Sequence, residues 1–568
     1  MDTSGNIKTL VILFFFSGTV VAANETTPQI SPCSSCEKTY NAEAEQCRKL
    51  WIPKPIENEA FNKCLQEATR KYKSCTNSCT DFNKTDQGHE RPVTRNVLIF
   101  IADDLGAERI LSVSMPNLDK LMDAGITFEN AWSNPTCSPT RAGIMTGQHA
   151  FRHEVSYALS PSDDGLDTRT ADSLPETLPA SVKSGLFGKW HLGKNRTAAT
   201  SIHGFDYFAG TMEGHLESYS SYDKVTAEQG SPISLESGYN KYATSNVVDD
   251  AYTWIEQQIK SDLPWLAIVS FNAPHATDSG SSVPEDKWEW LKEDLTSECW
   301  SSLIPPWFIP HPTLSPSTTT IETTIYNAHI HCLDTQMGRL LDDLQNSFQD
   351  ELEKTTVIFI GDNGTPGQVA ELPLYYAPSK DINTAKGTVY EGGIKVPFIV
   401  ADGYRWVNKT SNSIFKGGTG TVVAKEDNDA LVHTIDIFAT TQEILHGSGG
   451  GKDSISLIPY LHNTSHTEPR KYNYTQVINR DTGENKDDIY LYAIRDERYK
   501  MIVKATNHDL EDEENRNLSD PAVEIEIYDV SKSGSWENPV AVLDPPEGTL
   551  RNSIKTNLGD RMIDLWKN

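Results

Sequence analysis

Basic charge is what this chain is short of. Its 568 residues hold 50 Lys and Arg against 79 Asp and Glu, a formal net charge of −29. That excess argues against nucleic acid as a general partner and against loose adhesion to polyanionic glycans. Long apolar runs are scarce too. Residues 10–16, extended by Val20 and Val21, form the one sustained stretch, and it is short for a membrane span. No internal repeat is visible, so no solenoid or propeller is expected. Cysteine is concentrated at one end: six of the nine lie between Cys33 and Cys79, leaving Cys137, Cys299 and Cys332 for the rest.

The N-terminal apolar stretch follows Lys8 and ends in Val21-Ala22-Ala23, the small residues a signal peptidase needs. Residues 1–23 therefore read as a signal peptide, and the mature chain as a secreted or endomembrane-lumen protein, extracellular or lysosomal, with no membrane span. Asn-X-Ser/Thr sequons at Asn24, Asn83, Asn195, Asn408, Asn463, Asn473 and Asn517 agree with that route.

Four segments follow from pattern. After the signal peptide, residues 24–92 form a cysteine-rich module. Cys36 and Cys47 are eleven apart, as are Cys64 and Cys75, about three helical turns each. Mirror symmetry about Pro53 and Pro55 favours a helical hairpin stapled Cys47–Cys64, Cys36–Cys75 and Cys33–Cys79, among many connectivities open to six cysteines. Residues 93–450 alternate buried-strand runs with helical stretches. Val97-Leu98-Ile99-Phe100-Ile101, Leu266-Ala267-Ile268-Val269 and Val357-Ile358-Phe359-Ile360 are continuous β-branched or apolar runs, the mark of strands covered on both faces. Helices are expected over 117–124 and 324–348. The fold class is α/β, a large mixed, mostly parallel sheet sandwiched by helices. Cys299 and Cys332, both in this segment, are expected to pair. Residues 451–568 carry short strand patterns at 489–494, 499–503 and 524–528, a smaller antiparallel sheet, with a helix over 558–566.

Each long buried strand runs into polar residues: Asp103-Asp104, Asn272-Ala273-Pro274-His275, and Gly361-Asp362-Asn363-Gly364. Ligands of open α/β sheets bind at the carboxyl ends of strands, so these segments can meet. Asp103, Asp104, Asp362 and Asn363 offer only oxygen, which suits a hard cation, calcium or magnesium, over zinc. Either pair alone also fits a helix cap or a turn. In an oxidising compartment the odd cysteine, Cys137, calls for an explanation.

Cys137 lies in Pro135-Thr136-Cys137-Ser138-Pro139-Thr140-Arg141, with Thr146-Gly147 four residues beyond. Gly188-Lys189-Trp190-His191-Leu192-Gly193 and Lys386-Gly387-Thr388-Val389-Tyr390-Glu391-Gly392-Gly393 follow in order, and Ile494-Arg495-Asp496-Glu497-Arg498-Tyr499-Lys500 near the end. Together these motifs resemble the type I, formylglycine-dependent sulfatase family, arylsulfatase-like members included. The resemblance implies an alkaline phosphatase-like sulfatase fold. It implies that Cys137 is converted to formylglycine by a formylglycine-generating enzyme and attacks sulfur as its hydrate. Asp103, Asp104, Asp362, Asn363 and the modified Cys137 would hold a divalent cation, calcium ahead of magnesium. Arg141 would support the hydrate, Lys189 and Lys386 the sulfate oxygens. His275 would protonate the departing alcohol, and His191 would assist the hydrate. The implied substrate is a sulfated small molecule or glycan.

One departure stands out. The lead-in to Gly188, residues 177–187, is short for the family, so the strand carrying Lys189 must start late or be fed by a tight loop. Two rivals stay open: a phosphomonoesterase or phosphodiesterase of the alkaline phosphatase-like class, and a non-catalytic sulfated-ligand-binding protein. His149, Arg152 and His153, beyond the helix that follows Cys137, either line the pocket, cap that helix or lie exposed.

Overall fold

The computed structural model describes residues 94–168, 172–277, 318–370, 385–408, 426–458, 460, 470–479, 488–506, 510–511, 517–530, 541–542 and 548–567. The signal peptide, the cysteine-rich module with its three expected disulfides, and Cys299 lie outside them.

Among the described residues ten strands make one sheet: β1 (Asn96–Ala102), β2 (Gly125–Trp132), β3 (Lys183–Lys189), β4 (Tyr207–Thr211), β5 (Tyr222–Glu228), β6 (Ser234–Tyr239), β7 (Trp265–Ser270), β8 (Thr355–Gly361), β9 (Phe398–Asp402) and β10 (Glu426–His433). Their order is β10-β2-β9-β8-β1-β7-β3-β4-β5-β6. The central run β8-β1-β7-β3-β4 is parallel throughout, and only β5 and β9 oppose the common direction.

The apolar run of β1 has its reason here. Val97, Ile99 and Ile101 enter one core, and Leu98, Phe100 and Ala102 the other. Side chains alternate along a strand, so a strand covered on both faces must be apolar at every position. On one face lie α1 (Pro116–Asp123), α3 (Ala243–Lys260) and α4 (Thr318–Leu352); on the other, α2 (Cys137–Thr146) and α5 (Asp436–His446). The expected mixed, mostly parallel α/β sandwich is what forms.

The short lead-in before Gly188 resolves as a tight turn. The Val182 amide donates to Pro179 O at 2.8 Å, and Lys183 N to Pro264 O at 2.9 Å, which starts β3 beside β7. β3 then runs its full seven residues to Lys189.

A second sheet joins β11 (Asn473–Asn479), β12 (Ile489–Arg495), β13 (Tyr499–Thr506), β14 (Val523–Asp529) and the two-residue β15 (Ala541–Val542), all antiparallel. The expected C-terminal helix is longer than the pattern suggested: α6 spans Gly548–Lys567 and puts Ile554, Leu558, Met562 and Trp566 on one face of this sheet. The other face, with Val477, Ala493, Ile502 and Tyr528, packs on Trp132, Val389 and Ile394 of the ten-stranded body.

Sequons divide by environment. Asn195, Asn408 and Asn517 are exposed. Asn473 is wholly buried, and its amide donates to Asn130 O and Val432 O, so this fold leaves no room for a glycan there.

His149, Arg152 and His153 take the structural role. His149 N and the Arg152 guanidinium both bond Asp453, and the His149 ring packs edge-on against His433 and Tyr474, 5.2 Å away in each case. Burial pushes the pKa of His149 well below the usual 6.5, helped by Arg470, Arg152 and His153. Burial, then His149 and Arg470, do the same to His433. Between those lowered values and about 6.5, the unfolded chain binds more protons than the folded one. Stability therefore falls as pH drops below about 6.5. Each histidine adds up to about 1.4 kcal/mol per pH unit to that slope. Urea unfolding between pH 7.5 and 5.5 should show the fall, and His433→Gln should reduce its slope; equal slopes in both proteins would remove the His433 ring as a source.

Candidate active site

The carboxyl ends of β1, β2, β3, β7 and β8 open on one rim. Register brings them level: Ile101 pairs with Ser270, Ala102 with Gly361, and Gly188 with Ser270. The residue after each of β1 and β8 is a buried aspartate, Asp103 and Asp362. After β2 the chain turns into α2, and Cys137 is that helix's first residue, where the helix dipole favours negative charge. Arg141, one turn on, shares its face.

The expected residues converge. Asp362 Oδ2 accepts from Arg141 Nε at 3.0 Å and Nη2 at 2.8 Å, while its Oδ1 accepts the Asp104 amide at 3.0 Å. Arg141 Nη1 reaches Lys189 O at 3.1 Å and Ser270 Oγ at 2.5 Å. Lys189 Nζ lies 2.5 Å from Asp103 Oδ2, and Lys386 Nζ 2.5 Å from Asp104 Oδ1. His275 Nε2 stands 3.7 Å from Asp104 Oδ2. Ligand atoms of Asp103, Cys137 and Asp362 fall within 4.8 Å of one another, as do those of Asp103, Asp104 and His275.

Backbone shape is unusual here. Asp104 has φ 71° and His191 φ 51°, left-handed values that cost non-glycine residues energy and gather at functional sites. Gly188, at φ 96°, has no room for a side chain: a Cβ there would lie 2.0 Å from Ser270 O. That close approach packs β3 against β7 beneath Lys189.

Electrostatics separate the carboxylates. Burial pushes Asp103 well up; Lys189 offsets part of this, but Asp362 and Asp104 add to it. Burial acts on Asp104 as well, yet Lys386 and then His275 outweigh it and hold the group below the usual range. Three buried carboxylates thus crowd one point. Asp103 Oδ1 and Asn363 Oδ1 are buried without a hydrogen-bond partner. Unpartnered buried oxygens are costly, and a hard divalent cation is what an all-oxygen set of this kind accommodates. The residues fit the metal that the sequence implies.

The histidines differ. His191 Nε2 meets the Leu159 carbonyl at 2.8 Å, so that nitrogen carries hydrogen and Nδ1 is left as an acceptor, 3.1 Å from Cys137 Sγ. Burial, then Lys189, keep this ring neutral by pushing it well below 6.5. Burial pushes His275 down to about 3 against the pull of Asp104. Its Nδ1 bonds Ala276 O at 2.6 Å, leaving Nε2 toward the pocket. All ten expected residues share this rim. Sequence reasoning missed Ser270, which ends β7 and takes Arg141, and it missed the backbone acceptors Gly214 O and Leu159 O, which no side-chain pattern announces.

Comparison with known proteins agrees. The family model described as Sulfatase matches residues 95–447. The chain is 27% identical over 336 residues to an ulvan-active sulfatase of Formosa agariphila, an alignment spanning 57% of this chain and 59% of that protein. It is 24% identical over 465 residues to human arylsulfatase G, covering 73% and 77%. The fold matches the PsFucS1 sulfatase from Pseudoalteromonas sp. with a TM-score of 0.56 at 18% identity, covering 86% of this chain and 93% of that one. BT4656, solved with its substrate D-glucosamine-2-N,6-O-disulfate, superposes equally well, with a TM-score of 0.56 at 18% identity and 84% and 98% coverage. With that match running from β1 through α5, and with the cysteine motif at the head of α2, the chain belongs to the sulfatase family.

Proposed function

We propose that this protein hydrolyses sulfate esters, releasing sulfate and an alcohol or phenol, with residue 137 acting as a formylglycine hydrate. The observation that carries the reading is Cys137 at the start of α2, its Sγ 3.1 Å from the acceptor nitrogen of a neutral His191 and beside Asp103 and Asp362.

The ester's oxygens repel a nucleophile, so cations must draw charge onto them. Lys189, buried, and Lys386, partly buried, are placed at the rim for this once substrate competes with Asp103 and Asp104 for their ammonium groups. A calcium ion held by Asp103, Asp104, Asp362, Asn363 and residue 137 would supply further positive charge at the sulfate. Arg141 spends its hydrogen bonds on Asp362, Lys189 O and Ser270, so it holds the acidic cluster against the nucleophile's helix. One hydroxyl of the hydrate forms the new O–S bond as the ester O–S bond breaks, and its proton passes to the Asp362 carboxylate, within 4.8 Å of the residue 137 side-chain atom. The leaving oxygen takes a proton from His275 Nε2; the negative ester beside that ring opposes the burial that otherwise keeps it neutral. His191 Nδ1 then accepts the proton of the second hydroxyl. The C=O bond reforms, the C–O bond to sulfate breaks, and water restores the hydrate.

A sulfated glycan is the favoured substrate class, because the ulvan-active relative and the disulfated-glucosamine complex both concern sulfated sugars. Formylglycine formation implies a generating enzyme as a biosynthetic partner. A secreted or endomembrane-lumen destination goes with it, supported by the leader pattern and the exposed sequons. Among the described residues no helix is long and apolar enough to cross a membrane.

Aryl sulfate turnover tests the reaction. Cys137→Ala should lower kcat at least about a thousand-fold while folding normally, and intact mass of the peptide bearing residue 137 should show aldehyde in place of thiol. Faster aryl phosphate cleavage, unmoved by the substitution, would overturn the reading. Calcium should raise Tm in proportion to about 2.7 kcal/mol at a hundred times its Kd, and Asp103→Asn should shrink that gain; a Tm indifferent to calcium and chelator counts against the cation site. Glycopeptide mapping of secreted material should find sugar at Asn195, Asn408 and Asn517 and none at Asn473; an occupied Asn473 refutes the division drawn from burial.

A further inference from the structure

Tyr219 is a buried tyrosine outside every motif of the sequence, and its hydroxyl touches the backbone of the loop that carries His275. The oxygen lies 3.0 Å from Asn272 O and 2.9 Å from His275 O, so one O–H proton is shared between the two carbonyls that bracket the turn. The turn itself closes with His275 N donating to Asn272 O at 2.9 Å. The Tyr219 ring stacks with His329 at 4.2 Å and with Tyr242 at 5.8 Å. Tyr242 Oη and His329 Nδ1 are 3.1 Å apart, which fixes those two rings to each other. The tyrosine's own carbonyl accepts Ala243 N at 2.8 Å, at the first turn of α3. A rigid aromatic stack between α3 and α4 thus presents one hydroxyl to one catalytic loop.

We propose that Tyr219 is the positioning residue for His275: its hydroxyl clamps residues 272–275 so that the imidazole Nε2 faces the leaving oxygen. This rests on the reading of His275 as proton donor. His275 has need of such a clamp. It is partly exposed; among the described residues its ring hydrogen-bonds through Nδ1 to Ala276 O, within its own loop, while Nε2 stands 3.7 Å from Asp104 Oδ2. A misdirected proton donor costs most where the leaving group is a poor one, because a stable phenoxide departs without help.

The loop has a second connection: Ala273 O accepts the Asp103 amide at 3.0 Å. Tyr219 could in principle act through the cation site by that route, and the experiment must separate the two. The full-length protein is assayed with aryl sulfates running from 4-nitrophenyl to unsubstituted phenyl sulfate. Tyr219→Phe keeps the ring stack and removes only the clamp. Its kcat should fall roughly ten-fold on phenyl sulfate, a part of the 10²–10⁴ that proton transfer contributes, and much less on 4-nitrophenyl sulfate. His275→Ala should show the same trend, steeper, and adding Tyr219→Phe to it should change little. The calcium midpoint, read by Tm, should not move in Tyr219→Phe. A loss equal across the series, additivity with His275→Ala, or a weakened calcium midpoint would each overturn the proposal. If His275→Ala is itself flat across the series, the proton-donor assignment fails separately. Non-additivity of the two substitutions still decides whether the tyrosine acts through that ring.

Discussion

Asp362 is the tie on which the rim depends. Its two oxygens tie two chain segments to the end of β8: Arg141 from the nucleophile's helix, and the Asp104 amide from the end of β1. Arg141 extends the same tie to β3 and β7 through Lys189 O and Ser270 Oγ. The guanidinium and the carboxylate are both almost wholly buried, and breaking such a pair from one side typically costs about 3–5 kcal/mol. Parallel strands give these segments a common edge, but nothing in a β-ladder sets the loops beyond it. The Arg141–Asp362 pair does that, and it does so with a planar fork that a lysine could not reproduce.

The same logic explains why the second sheet is fused to the catalytic body. Lys500 on β13 bonds Glu391 at 2.9 Å and lies 4.7 Å over the Trp132 ring, whose Nε1 also reaches Glu391 at 3.4 Å. Burial would raise Glu391, but Lys500, Arg495 and Lys395 hold it down at about 2. Trp132 ends the strand that leads to Cys137, and Glu391 is five residues after Lys386. Thr475 on β11 adds a bond to Ser133 O, on the same approach to the nucleophile. The Lys386 segment is further fixed by Lys386 N to Thr365 O and Gly387 N to Pro135 O. The small sheet is therefore a buttress for two segments of the rim, and Lys500, the last residue of the run at 494–500, belongs to that support.

What the sequence disclosed, it disclosed through local constraint. A strand covered on both faces must be apolar throughout, so β1, β7 and β8 could be read from composition. Asp103, Asp362 and His275 follow such strands, which is why their convergence could be anticipated. The buttress was hidden: Glu391 and Lys500 are 109 residues apart, and a charged residue on a strand reads as solvent-facing until its partner is known. Tyr219 was hidden for the same reason, since its work is done on backbone carbonyls 53 and 56 residues away. Asn473 misled in the opposite direction. Its sequon is intact as a string, but its amide is consumed in joining the second sheet to β10 and β2.

Charge counting at the rim shows why protein cations alone fall short. Asp103, Asp104 and Asp362 are matched one for one by Lys189, Lys386 and Arg141, so the buried cluster is formally neutral. The chain around it carries −29. A sulfate ester arriving there brings another negative charge into a site where charge is poorly solvated, and freeing a lysine to meet it uncovers an aspartate. Burial raises Asp103, and Asp362 and Asp104 add to the rise despite Lys189, which is the same deficit seen from the protein's side. A divalent cation held among these oxygens would turn the balance positive by two. Both lysines would then be free to turn to a sulfate without leaving a bare carboxylate behind. Anion binding in so acidic a protein would thus be coupled, by arithmetic, to a cation held by these oxygen donors.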